Sequence, residues 1–164
     1  MLQHPDTFHL SAAIGWLELG NHLEANDELE KITPQMRAHP DVLNVRYQIY
    51  AGAKKWMEAH TIAKALVEMV PTEPGHWIAH AYSSRRKPDG GIEEAKTILL
   101  KAASIFPTEP TIFFNLACYD SLLGKFPESK AWLDKALKVG DRATVQKMIL
   151  EDSDLEPLRK EYGM

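Results

Sequence analysis

Pro71-Thr72-Glu73-Pro74 returns unchanged as Pro107-Thr108-Glu109-Pro110, 36 positions later. An identical tetrapeptide at that spacing marks an internal repeat, and a repeat of this length settles the architecture before any local reading of helix or strand. Upstream of each copy, Trp56-Met57-Glu58-Ala59 and Ile92-Glu93-Glu94-Ala95 correspond at the same offset, an aromatic or apolar residue followed three positions later by Ala. Moving 34 residues forward from Ile92 reaches Phe126-Pro127-Glu128-Ser129, and 34 back from Trp56 reaches His22-Leu23-Glu24-Ala25. Four units follow, 6–39, 40–73, 74–109 and 110–143, the third lengthened by two residues at the turn Lys87-Pro88-Asp89-Gly90-Gly91. An insertion is best tolerated in such a turn.

Within each unit the apolar residues recur at three and four, the period of a helix and not of a strand. Phe113, Leu116, Ala117 and Leu123 mark one helix of the fourth unit; Phe126, Leu133, Ala136 and Leu137 mark its partner across Gly124-Lys125. Each unit therefore reads as a helical hairpin. Gly20, Gly91 and Gly124 precede the second helices and are expected to supply positive φ there without steric cost. Lys54-Lys55 stands at the corresponding place in the second unit and predicts a strained turn. Pro71 and Pro107 close second helices, while Pro74 and Pro110 suit the first turn of the next helix, where an N–H is not needed. Small residues fall where paired helices approach: Ala13, Ala81 and Ala117 in first helices, Ala25, Ala59, Ala95 and Ser129 in second ones, with Tyr47 interrupting the first set.

These residues together resemble the tetratricopeptide repeat (TPR), in which a bulky residue, a Leu, a small residue and a Tyr in the first helix are followed by Ala, an aromatic and a closing Pro. The third unit carries the pattern as Trp77, Ala81, Ala95, Leu99, Ala102 and Pro107, the fourth as Phe113, Leu116, Ala117, Ser129, Leu133 and Ala136. The second keeps Leu43, Tyr50, Ala59 and Pro71, and the first Ala13, Trp16, Ala25 and Leu29. His9, Arg46, His80 and Asp120 depart from the pattern, as does Arg37 at the first closing proline. The resemblance implies an all-α protein, a right-handed superhelical solenoid of antiparallel helix pairs forming a single domain over 1–164. Solenoid ends need covering, and residues 141–162 are expected to supply capping helices. Val145, Met148 and Ile149 would face inward, a second helix would start at Ser153-Asp154-Leu155-Glu156, and Leu155 and Leu158 would pack downward.

Composition limits what such an array does. The chain has 164 residues, the size of one ordinary domain. Its 19 Lys and Arg against 23 Asp and Glu leave a net charge of −4, which argues against coating nucleic acid. With 45% hydrophobic and 26% charged residues the composition is that of a folded chain. Cys118 is the single cysteine, so neither an intramolecular disulfide nor a cysteine metal cluster is expected, and a reducing, cytoplasmic setting fits. Met1 to Asp6 show no basic run leading into an apolar stretch, and no segment reaches the roughly 18–20 apolar residues of a membrane span. Neither export nor membrane insertion is expected.

Candidate chemistry is sparse. His76 and His80, four apart, would place two imidazoles on one helix face, but zinc needs a third ligand and the resemblance puts His80 at a buried inter-helix position. Cys118 has no nucleophile signature around it, and Asp89-Gly90-Gly91 follows a helix where a phosphate loop follows a strand. Asp152, Asp154 and Glu156 suit the positive end of a helix. No catalytic residue and no cofactor are expected, and function falls to a surface. The resemblance implies a concave groove lined by first helices, here Leu10, Ile14 and Leu17; Asn44, Gln48 and Ala51; Ile78, Tyr82 and Arg85; Phe114, Cys118 and Ser121. Arg85, Arg86 and Lys87 make its third part cationic, and the amides of Asn44 and Gln48 suit an extended peptide backbone. The clamp with which some TPR proteins grip acidic chaperone tails is absent, its places being held by Leu10, Ile14, Val45, Gly75 and Ala79. The expected protein is a non-enzymatic scaffold or adaptor that holds an acidic or amphipathic peptide or helix of a partner protein. Self-association, with the groove filled by the tail or a second copy, and metal-dependent catalysis at His76 and His80 are the competing readings.

Overall fold

The computed structural model describes residues 1–163, which are helical without a strand among them. Nine α-helices run in order among the described residues: α1 Asp6–Glu18, α2 His22–Glu30, α3 Pro40–Gly52, α4 Trp56–Met69, α5 Pro74–Arg86, α6 Ile92–Ile105, α7 Pro110–Leu122, α8 Phe126–Val139 and α9 Arg142–Glu151. Short 3-10 turns occupy Pro34–Met36 and Ser153–Tyr162. The chain forms two compact units, Met1–Gly91 and Ile92–Met164, so that the division falls between α5 and α6.

The repeated Pro-Thr-Glu-Pro is a helix start. Glu73 and Glu109 cap α5 and α7, their carboxylates accepting the N–H of Gly75 at 3.2 Å and of Thr111 at 3.1 Å, and the second proline of each motif is the first helical residue. The same place before α3 is taken by His39-Pro40, where the His39 ring accepts from Asp41 N–H at 3.3 Å. One side-chain acceptor and one pre-set φ thus begin three first helices.

The turns inside three hairpins are also one structure. At Gly20, Lys54 and Gly124 the backbone is left-handed, with φ of 75°, 57° and 72°. At each, the left-handed residue's N–H reaches the carbonyl three back, and the next N–H, of Asn21, Lys55 or Lys125, reaches the carbonyl five back. This closes the helix with its orphan carbonyls satisfied. Lys54 adopts the conformation with a side chain, as the sequence predicts. Gly91 does not follow the expectation: its φ is not positive, because Pro88 forces Lys87 into an extended conformation (ψ 154°) and the longer turn closes differently. There the glycine that matters is Gly90, where a Cβ would lie 1.8 Å from the Ser84 carbonyl oxygen.

In the first unit, α1 packs on α2, α3 on α4, and α5 against α4. Ala13, Ala25, Leu29, Ile32, Val42, Val45 and Ile49 form a core that Leu10, Trp16, Leu17 and Tyr50 extend. Small residues meet where helices cross: Ala25 and Ala59 are fully buried. The departures from the repeat pattern are partnered. His9 meets Glu28 at 2.9 Å, and Lys31 and His9 together hold the Glu28 carboxyl below its ordinary range. Arg46 and Arg37 share Glu30 at 2.9 and 2.8 Å, and Arg37 also donates to the carbonyls of Ile32 and Glu30, serving the end of α2 in place of a closing proline.

In the second unit α7 packs on α6 and α8, and α9 on α8. Asp120 is fully buried, paired with Lys96 from α6 and accepting from Trp132 Nε1 of α8 at 3.1 Å, so one carboxylate ties three helices. Asp141 caps α9 by accepting from the Thr144 hydroxyl and N–H, which lowers its pKa. Val145 and Ile149 are buried as expected, and Met148 is half-buried. The final segment starts at Ser153 as expected, capped by Asp152, but departs from the sequence reading in form, since Ser153–Tyr162 winds as 3-10. Pro157 accounts for it, since its ring opposes the α-helical approach of the carbonyl four residues back. Leu155 and Leu158 are buried nonetheless.

Candidate peptide-binding cleft

The first-helix residues expected to line a groove fall into distinct environments. On α1, Leu10 and Leu17 pack against the core of the first unit and Ile14 is 42% exposed. On α3, Asn44 is half-buried and Gln48 is partly exposed at the same face; on α5, Ile78 is half-buried and Tyr82 exposed. Asn44 and Gln48 come together in a cleft of about 520 Å³ between α3 and α5, floored by Tyr47, His76 and Ala79. That volume lies in the range of sites that hold small molecules or a short stretch of chain. Its walls are set by the repeat: Tyr47, standing where other first helices carry alanine, bridges the helices by donating from its hydroxyl to the Ala79 carbonyl at 3.2 Å. Asp41 and Glu73 lie at the helix-start end of the cleft.

Charge changes sign along α5. From the Glu73 cap to Arg85 is about 18 Å at 1.5 Å per residue. At the far end the Arg86 guanidinium lies 3.4 Å from the centroid of the Tyr82 ring, with Trp56 at 5.5 Å, and donates to the Tyr82 carbonyl at 3.1 Å. Tyr82 in turn meets Trp56 edge-on at 5.8 Å. Arg86 is thus held over an aromatic face at a helix C-terminus, where the dipole favours a cation. Arg85 and Lys87 adjoin it and are half-buried.

The fourth group of expected groove residues is enclosed. Phe114, Cys118 and Ser121 are 5%, 3% and 6% exposed, because the C-terminal segment lies on α7. Ser121 donates from its hydroxyl to the Asp154 carbonyl at 2.5 Å, and the Cys118 sulfur lies 3.7 Å from an Asp152 carboxylate oxygen. These three residues, expected in the groove, lie beneath the chain's own tail. Within the acidic cluster of that tail, Asp152 caps the segment, accepting from Asp154 N–H at 2.9 Å.

His76 and His80 do not face a common point. The His76 ring donates to the Val70 carbonyl at 3.2 Å, and the His80 ring lies against His60 with centroids 4.8 Å apart. Among the described residues no three His, Cys, Asp or Glu side chains converge as metal ligands. No helix of the described residues is long and apolar enough to cross a membrane. Tyr47, Asp41, Glu73 and His76 are cleft residues that a repeat-based reading passes over; Tyr47 carries a signal, a large residue where a small one is due.

This arrangement of helices recurs in solved structures. The thermophilic TPR protein TTC0263 of Thermus thermophilus matches with a TM-score of 0.72 at 20% identity, over 96% of this chain and 83% of that one. A double mutant of MamA from RS-1 matches with 0.72 at 14% identity, over 87% of this chain and 79% of that one. MamA from MSR-1 matches with 0.67 at 18% identity, over 82% of this chain and 76% of that one. No family model matches the sequence. No curated protein matches it. The chain is a repeat protein of the TPR fold, all-α throughout its described residues.

Proposed function

We propose that the chain is a non-enzymatic scaffold that holds an extended segment of a partner protein in the cleft between α3 and α5. The observation that carries this reading is the pair of amides, Asn44 and Gln48, on the wall of an open cleft of about 520 Å³. Amides donate and accept, so they match a peptide backbone without demanding a particular side chain. The carboxylates of Asp41 and Glu73 lie in the cleft, and Arg85 and Arg86 stand beyond its lining at the C-terminal end of α5, so a bound segment would have a direction. A segment acidic at the end that meets Arg86, and apolar where it passes Ile78 and Tyr82, suits it. Ordering such a segment consumes much of the contact energy, so micromolar affinity, about −8 kcal/mol, is expected. The likeness to other TPR proteins and the net charge of −4 support a protein partner over nucleic acid. The lone cysteine supports a cytoplasmic setting.

Panning a displayed peptide library against the immobilised full chain tests the reading. Selected peptides should bind Asn44→Ala/Gln48→Ala roughly 10- to 30-fold more weakly, the equivalent of two hydrogen bonds of about 1 kcal/mol each. Peptides that bind this variant as well as the parent would place the site elsewhere.

A further inference from the structure

The second unit carries a cleft of about 470 Å³ between α6 and α8 whose chemistry the peptide groove does not use. Phe113 and Trp132 stack at its base, centroids 5.9 Å apart and planes within 10°. Leu100 and Val139, 42% and 38% exposed, form apolar walls. The rim is cationic: Lys138 is exposed, and the Lys135 ammonium sits 4.2 Å over the Trp132 ring. An aromatic floor with lysines on the edge accepts an apolar side chain flanked by carboxylates.

The same chain presents that ligand. At the tip of the α1–α2 hairpin, Leu19 and Leu23 are 76% and 81% exposed, more than any other described leucine. Neither belongs to the core of its own unit, and Glu18 and Glu24, both exposed, stand immediately beside them. The nearby cation Lys31 is already paired with Glu28 at 2.7 Å. Two exposed leucines bracketed by acids complement two exposed apolar walls bracketed by lysines.

We propose that the α1–α2 tip of one copy docks into the α6–α8 cleft of a second copy. Because the two patches differ, the contact is head-to-tail, and it propagates into rings or chains where an isologous contact would stop at a dimer. The docking tip is small compared with the roughly 1,000 Å² of a stable interface, so the association is weak, with Kd on the order of 100 µM.

Sedimentation velocity of the full chain, from about 10 µM to 1 mM, provides the test. The weight-average mass should climb with concentration in the parent. Lys135→Glu/Lys138→Glu and, separately, Glu18→Lys/Glu24→Lys should each weaken association tenfold or more, and an equimolar mixture of the two variants should restore it. Circular dichroism confirms that each variant is folded; Leu23→Ser, at an exposed position outside the core, gives the same loss without a charge change. A parent that stays monomeric at the highest concentration overturns the proposal. So does association indifferent to both charge reversals, or a mixture of the reversed variants that stays monomeric.

Discussion

Each polar residue that breaks the repeat pattern has acquired a partner, which explains how a core position tolerates it. Asp120 is the sharpest case. Its carboxylate is wholly buried, and it is held by Lys96 and Trp132, both from neighbouring helices. Removing one member of a buried pair leaves the other desolvated and uncompensated, at a cost of about 3 kcal/mol. Lys96→Met should therefore lower stability in urea unfolding by about that amount, and Lys96→Met/Asp120→Asn should recover most of it, since the charge is gone while Trp132 keeps an acceptor. A single variant as stable as the parent would show the pair to be incidental. Sequence alone reveals that His9, Arg37, Arg46, His80 and Asp120 are out of pattern. It does not reveal that Glu30 lies between Arg37 and Arg46, or that His60 faces His80, because those neighbours come from other helices.

Helices and their turns repeat the same chemistry from unit to unit, and most of it is local. Acid-Pro or His-Pro begins α3, α5 and α7, and a left-handed residue follows α1, α3 and α7, so these features are legible in the chain as spacing. The left-handed conformation costs an L-residue with a side chain roughly 1–2 kcal/mol, part of which a glycine forfeits through its greater freedom when unfolded. Lys54→Gly should accordingly raise stability by about 0.5–1 kcal/mol, while Gly124→Ala at the equivalent turn should lower it by about 1 kcal/mol. Chemical denaturation of the two variants checks the pair; a Lys54→Gly protein less stable than the parent would mean its side chain does something the turn geometry does not show. The third turn escapes a reading by spacing because Pro88 overrides the glycine signal, and its backbone crowding at Ser84 is a contact across the turn.

At the level of the chain as a whole, the tail decides which surfaces remain open. It seals α7 with Leu155, Leu158 and the Ser121–Asp154 hydrogen bond, is tied to α8 by the Lys130–Glu161 ion pair, and leaves Cys118 3% exposed. A buried thiol reacts only when the structure over it opens. Leu158→Glu should loosen that cover and speed Cys118 labelling by a thiol reagent at least about tenfold, with the helical content retained. Equal labelling rates in parent and variant would show that the tail does not control access to this face. The proposed groove is confined to the first unit for this reason, as α3 and α5 keep Asn44 and Gln48 on an open wall.

The period, the pairing of helices into hairpins, the capped starts and the strained Lys54 turn can all be read from the linear chain. They arise from side chains acting on backbone a few residues away, and such interactions leave a signature in spacing. Which polar outliers meet, why Ser153–Tyr162 lies on α7, and where a cleft stays open depend on residues dozens of positions apart. Those are set by the packing of whole helices, to which no short stretch of sequence corresponds.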